Sequence, residues 1–228
     1  MGGAFTSSFG NLATENDKKR MYSVYRKSCF VMNSLAFICC AGFIACIQDF
    51  IYIVFGSNFV LSFSCVLILV FSMLIYLLDI PIISVQNAMG LHRCDAGVMI
   101  IQAVLAIACG YGAGKVWGME GILLGLTIPT VIFTFIHKGI VISKVAFEVT
   151  SYKYLKDMGS DLIKGIVIIG VISAICNCIP AWNPVIAMIL KGILSVIISG
   201  ILIIAFSFKS EYFKETLAML MRVLKLQK

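Results

Sequence analysis

The sequence predicts an all-α fold, a polytopic membrane bundle of about six transmembrane helices, and three observations predict it. Hydrophobic residues make up 61% of the 228-residue chain and charged ones only 13%, far from the near-half apolar, quarter-charged balance of soluble domains. The mean hydropathy is +1.02. The apolar residues also gather into six runs, and spans of about 20 residues with short loops fill a chain of this length. Lipid offers backbone groups no hydrogen-bond partners, so each run is expected to be helical.

The runs are 29–47, 60–80, 98–111, 122–142, 162–179 and 185–208. The third is short for a span unless it extends back through Asp95. The second ends in Asp79-Ile80-Pro81, where Pro81, lacking an N–H, is expected to kink or break the helix. Between the third and fourth runs, "CGYGAGKVWGMEG" reads as a Gly-rich reversal joining two helices. It is no phosphate loop, because Val116 follows Lys115 where a Walker A loop needs Ser or Thr. Residues 1–28 form a polar connector, 29–208 the six-span bundle, and 209–228 a basic amphipathic tail. The tail and the segment "VAFEVTSYKYLKDMGSD" both mix Lys with aromatic and aliphatic residues. Two readings are open for each, a helix lying in the membrane interface or an ordinary cytoplasmic helix end.

Charge sets the expected orientation. The net charge is +7, but the basic residues are scattered among loops between apolar runs, which points away from nucleic acid and toward topology. With alternating spans, sixteen of the eighteen basic residues fall on one side, leaving Lys115 and Lys191 toward the other. The positive-inside rule then puts both termini in the cytoplasm.

No residue set argues for catalysis, so the chain is not expected to be an enzyme or to carry a cofactor or metal. Most of the nine cysteines lie in or at the ends of apolar runs with no CxxC pair, and His92 and His137 stand apart without ligand partners. The polar residues at membrane depth are more telling, since an ionisable group facing lipid costs several kcal/mol. Four are candidate substrate or cavity residues: Asp79, Gln86, Asn87 and Lys191. For Asp79 the alternative is an interfacial carboxylate ending its helix before Pro81. For Lys191 it is a side chain snorkelling to the outer surface. Asn33, Gln102 and Asn177 are further interhelical hydrogen-bond or cavity candidates, and Gly192 and Gly200 are read as close-packing positions.

Four stretches, in order, carry a resemblance. They are "SSFGNLATENDKKRMYSVYRK", the Phe-Gly turn "IVFGSNFVLS", the basic turn "NAMGLHRCDAG" and the reversal "GKVWGMEGILLGLTIPT". Together they resemble the C-terminal part of bacterial polysaccharide repeat-unit flippases, the O-antigen and exopolysaccharide type of the multidrug/oligosaccharidyl-lipid/polysaccharide exporter superfamily. The likeness covers nearly the whole chain, but each motif is degenerate. It implies the second lobe of a two-lobe flippase plus two terminal helices, with "GNLATENDKKRMYSVYRK" an internal connector and the first lobe missing or separately encoded. It implies alternating access in a bacterial inner membrane and an undecaprenyl-diphosphate-linked oligosaccharide as substrate, for lipopolysaccharide or exopolysaccharide synthesis. On that scheme Lys191 is peripheral. The competing expectation is a six-span membrane enzyme or assembly subunit of envelope polysaccharide synthesis.

Overall fold

In this computed structural model, the structure describes residues 9–12, 17–94, 96–179 and 183–208. The tail 209–228 lies outside the described residues, so the two readings of it are not compared. Five helical stretches are long and apolar enough to cross a membrane, and among the described residues there is no strand.

Helix α1, Lys18–Phe55, runs for 38 residues, about 57 Å at 1.5 Å per residue and nearly twice the hydrocarbon thickness. It starts well ahead of the apolar run because Asp17 caps it, accepting a hydrogen bond from the Arg20 N–H at 3.0 Å. It stops at Gly56, whose φ of 89° no ordinary L-residue adopts comfortably. Helix α2, Phe63–Met89, is capped by Ser62 and closed by Gly90 in the left-handed region. Pro81 does not end it; the helix continues through Met89. In a bundle, neighbouring helices and side chains re-satisfy the carbonyl that proline leaves free.

The stretch Ala96–Phe147 is continuous in helical character but not in direction. It comprises α3 (Ala96–Pro129), a π-helical segment (Thr130–Lys138) and α4 (Gly139–Phe147). At Gly118 the backbone leaves helical angles, with φ 59° and ψ −134°. A Cβ on Gly125 would collide with the Gly110 backbone, and one on Gly121 with the Ala113 carbonyl. Further along, Thr134 donates to Gln102 Oε1 at 2.6 Å. Residues this distant on one straight helix would be tens of ångströms apart. The chain therefore doubles back at Gly118 into two antiparallel arms, so that the five apolar stretches among the described residues make six long helical arms. The Gly-rich reversal expected from "CGYGAGKVWGMEG" is where the turn occurs.

Helices α5 (Ser151–Asn177) and α6 (Pro184–Ser207) complete the bundle. The segment "VAFEVTSYKYLKDMGSD" forms no helix of its own; α4 runs to Phe147 and α5 starts at Ser151. Helix α1 is the hub, packed on α2, α5 and α6. One buried cluster fills the middle of the bundle, with Phe37, Ile44, Val70, Leu74 and Ile168 at its centre. Gly165 lets α5 close on this cluster, since a Cβ there would sit 2.7 Å from the Phe37 ring. Of the two glycines singled out on α6, Gly192 lies close to Cys46 Sγ, at 3.2 Å from its would-be Cβ, while Gly200 has open space. A second cluster closes the end holding Tyr22, Tyr25, Phe147 and Tyr154. The two arms, by contrast, turn Ile100, Val104 and Ile107 on one and Ile128 and Ile132 on the other outward, the apolar dressing of a bilayer-facing surface.

Candidate functional site

Two neighbouring groups of charged residues lie inside the bundle. The first is a buried ion pair, Lys138 with Asp79, whose side chains are 3% and 1% exposed. Asp79 comes from α2 two residues before Pro81, and Lys138 closes the π-helical segment. The π turn follows from local sequence. Pro129 brings no N–H to the ladder, and the Thr127 and Thr130 hydroxyls donate back to the carbonyls of Leu123 and Leu126, at 2.7 and 2.9 Å. Such hydroxyl bonding bends helices, and π turns inside helices are frequent at functional sites. Gly139, next to Lys138, leaves room for the Tyr154 ring; a Cβ there would meet the Tyr154 hydroxyl.

The second group lies between α1 and α5. Asp161 accepts from Arg26 Nη1 at 3.0 Å, from Asn33 Nδ2 at 3.1 Å and from Lys164 Nζ at 3.1 Å. Asp157 accepts from the Tyr22 hydroxyl at 2.6 Å and lies 3.9 Å from Arg26 Nε. Burial, then the bond to Asp157 and its charge, hold the Tyr22 phenol well above its ordinary pKa, so it remains a donor. The spacing explains the match: Tyr22, Arg26, Cys29 and Asn33 share one stripe of α1, and Asp157, Asp161 and Lys164 share one of α5. Leu78, Tyr154 and Met158 join this group in lining a small cavity. That places it one residue along α2 from Asp79, so the two groups are neighbours.

The four residues singled out in the sequence go to four different places. Asp79 is buried in the ion pair, and Gln86 is buried further along α2. Asn87, beside it, points outward. Lys191 reaches neither; its Nζ pairs with Asp49 at 2.7 Å across α6 and α1. Of the others, Gln102 bonds Thr130 and Thr134 within the hairpin, and Asn177 is exposed at the end of α5. Lys138, Arg26, Asp157, Asp161 and Asp49 escaped the sequence reading. Lys138 lies inside the fourth apolar run, yet the charge tally counts it among the loop cations. The α5 group had a usable signal, acidic and basic residues at i, i+4 and i+7.

The arrangement pairs opposite charges between helices. Among the described residues no group of three His, Cys, Asp or Glu side chains gathers to hold a metal. No protein-family model, curated protein or solved structure matches the chain.

Proposed function

We infer that the chain takes part in moving lipid-linked oligosaccharide repeat units across a bacterial inner membrane by alternating access, as one lobe of a flippase. One observation carries the reading: a charged pair, Asp79 with Lys138, kept fully buried between α2, two residues before Pro81, and the end of the π-helical segment. Intramembrane ion pairs are costly, and apolar residues of similar volume would pack as well or better. Their natural use is along a substrate or ion path. The four ordered sequence stretches, and a bundle of six long helical arms, agree with the same family. The half-buried constellation at Arg26, Asp157 and Asp161 sits beside the pair and fits a gate that closes one end while the substrate site faces the other.

The orientation that goes with this function has both termini in the cytoplasm, supported by the distribution of Lys and Arg. Disrupting the gene in its native host tests the function. Surface polysaccharide should disappear while lipid-linked repeat units accumulate, and the wild-type gene should restore both. If lipid-linked units instead fail to form, the chain acts in their synthesis and the transport reading is wrong.

A further inference from the structure

The hairpin that turns at Gly118 is tightly built inside and loosely attached outside. Within it, Gly125 lies against the Gly110 backbone and Gly121 against the Ala113 carbonyl, closer than any side chain would allow. Nearer the π-helical segment, Gln102 Nε2 donates to Thr130 Oγ1 at 3.3 Å and its Oε1 accepts from Thr134 at 2.6 Å. Backbone contact and paired hydrogen bonds make the two arms one stiff piece. Against the rest of the bundle the arms pack chiefly on α2, and that seam is open. One cleft of about 420 Å³ lies beside Leu67, Phe71 and Ile128, and another of about 210 Å³ beside Leu69 and Leu123. Well-packed interiors leave few voids larger than a water molecule.

Three polar contacts cross the seam, and they differ in what breaking them costs. At the root, Asp79 pairs with Lys138 and both are buried. The chain is anchored there too: the first arm follows the turn after Gly90, and the second runs on into α4, whose Ile142 and Ala146 are core residues. In the middle, the Ser72 and Thr127 hydroxyls meet at 2.5 Å. Each has a carbonyl of its own helix to fall back on, Ile68 at 2.8 Å for Ser72 and Leu123 at 2.7 Å for Thr127. Parting them strands no donor in lipid. At the tip, just past Gly118, Glu120 accepts from Ser62 at 2.7 Å in an exposed bond, for which water is a ready substitute. The apolar walls add little cohesion, because lipid tails are as apolar as the side chains they would replace. The seam is fixed at one end and cheap to open at the other.

From this we propose that the hairpin is a hinged arm: it pivots at the Asp79–Lys138 root, its tip swings away from α2, and Ser62 with Glu120 forms the latch that holds it shut. Opening turns the two apolar clefts toward the bilayer, whose hydrocarbon chains fill them. The arm stands whether or not the chain is a transporter, because it rests on the seam alone.

Double electron–electron resonance on the full chain in nanodiscs tests it, with spin labels carried on p-acetylphenylalanine so that the native cysteines stay in place. Pairs of exposed positions report the three parts: Val116 with Ile186 spans tip to bundle, Ile100 with Ile204 spans root to bundle, and Val116 with Ile132 stays within the hairpin. The tip pair should give two distances and the other pairs one each. Glu120→Ala should raise the ratio of the longer tip distance to the shorter about fivefold, the scale of one hydrogen bond. Glu120→Gln, which keeps an acceptor for Ser62, should leave the ratio as it was. A single tip distance in both the wild type and Glu120→Ala overturns the proposal. So do two distances within the hairpin, which would deny its stiffness, or two at the root, which would deny the pivot. A ratio that Glu120→Ala leaves unchanged, or that Glu120→Gln shifts equally, overturns the latch.

Discussion

Removing the buried charges one at a time, and then together, separates a structural pair from a working one. Asp79 and Lys138 are so little exposed, at 1% and 3% of their side chains, that solvent screening gives no relief. Asp79→Leu leaves the Lys138 ammonium buried without its counter-charge, and Lys138→Met does the reverse to the carboxylate. Breaking one half of such a pair costs about 3–5 kcal/mol, comparable with the ~2.5–3.5 kcal/mol insertion penalty of a single intramembrane charge. Either single variant should therefore be far less abundant in membranes and melt early in detergent. The double variant Asp79→Leu/Lys138→Met removes both charges and should regain wild-type abundance and thermal stability, or exceed it. Its surface polysaccharide should still be absent. Fluorescence-detected size exclusion gives the first quantity, and polysaccharide staining of cells carrying the variants gives the second. A double variant that restores polysaccharide as well as abundance would show that the pair only holds α2 to the π segment, and would refute the reasoning. Single variants as stable as wild type would refute its burial.

Three other perturbations bear on separate parts of the account. Gly125→Val places a side chain against the Gly110 backbone, which cannot give way; the hairpin should splay, with a loss of about 1–3 kcal/mol or more of stability read by detergent melting, whereas Gly200→Val, with open space around it, should be tolerated. Reporters inserted at Gly118 and fused at Lys228 should report opposite sides, phosphatase active at Gly118 and a fluorescent protein bright at Lys228; the same side for both would remove one crossing. Tyr22 and Tyr154, which precede the apolar runs of their helices, have phenols raised by burial above the ordinary 10.0. A group whose folded pKa is raised contributes its stability in full below the unfolded value and loses it as pH climbs past it, so stability should hold up to about pH 10 and fall above it, less steeply in Tyr154→Phe.

What was legible in the sequence was whatever lipid dictates. The apolar runs had to be helical because the bilayer satisfies no backbone group, and the reversal at Gly118 announced itself through clustered glycines. Helix ends were less legible: α1 starts at Lys18 rather than near Cys29, because Asp17 caps it and the Tyr22 and Arg26 stripe packs against α5, a tertiary cause no composition window carries. Asp79 was flagged since a carboxylate near a run's end stands out against its neighbours. Its partner was not, because Lys138 next to His137 looks like any basic helix end. Only the π turn after Pro129 brings that ammonium inward. Lys191 stands out in its run in the same way, but its partner Asp49 does not, being ordinary until α6 lies on α1.

The most direct test follows the substrate from one leaflet to the other. Spheroplasts of the native host, labelled in the lipid-linked repeat unit, are exposed to a membrane-impermeant oxidant of sugar hydroxyls, and the oxidised fraction is measured with and without the chain. Transport predicts that outer-leaflet exposure needs the wild-type chain and is not supported by the Asp79→Leu/Lys138→Met double variant at equal abundance. An oxidised fraction that stays the same when the gene is removed would contradict the claim that this bundle moves lipid-linked sugars.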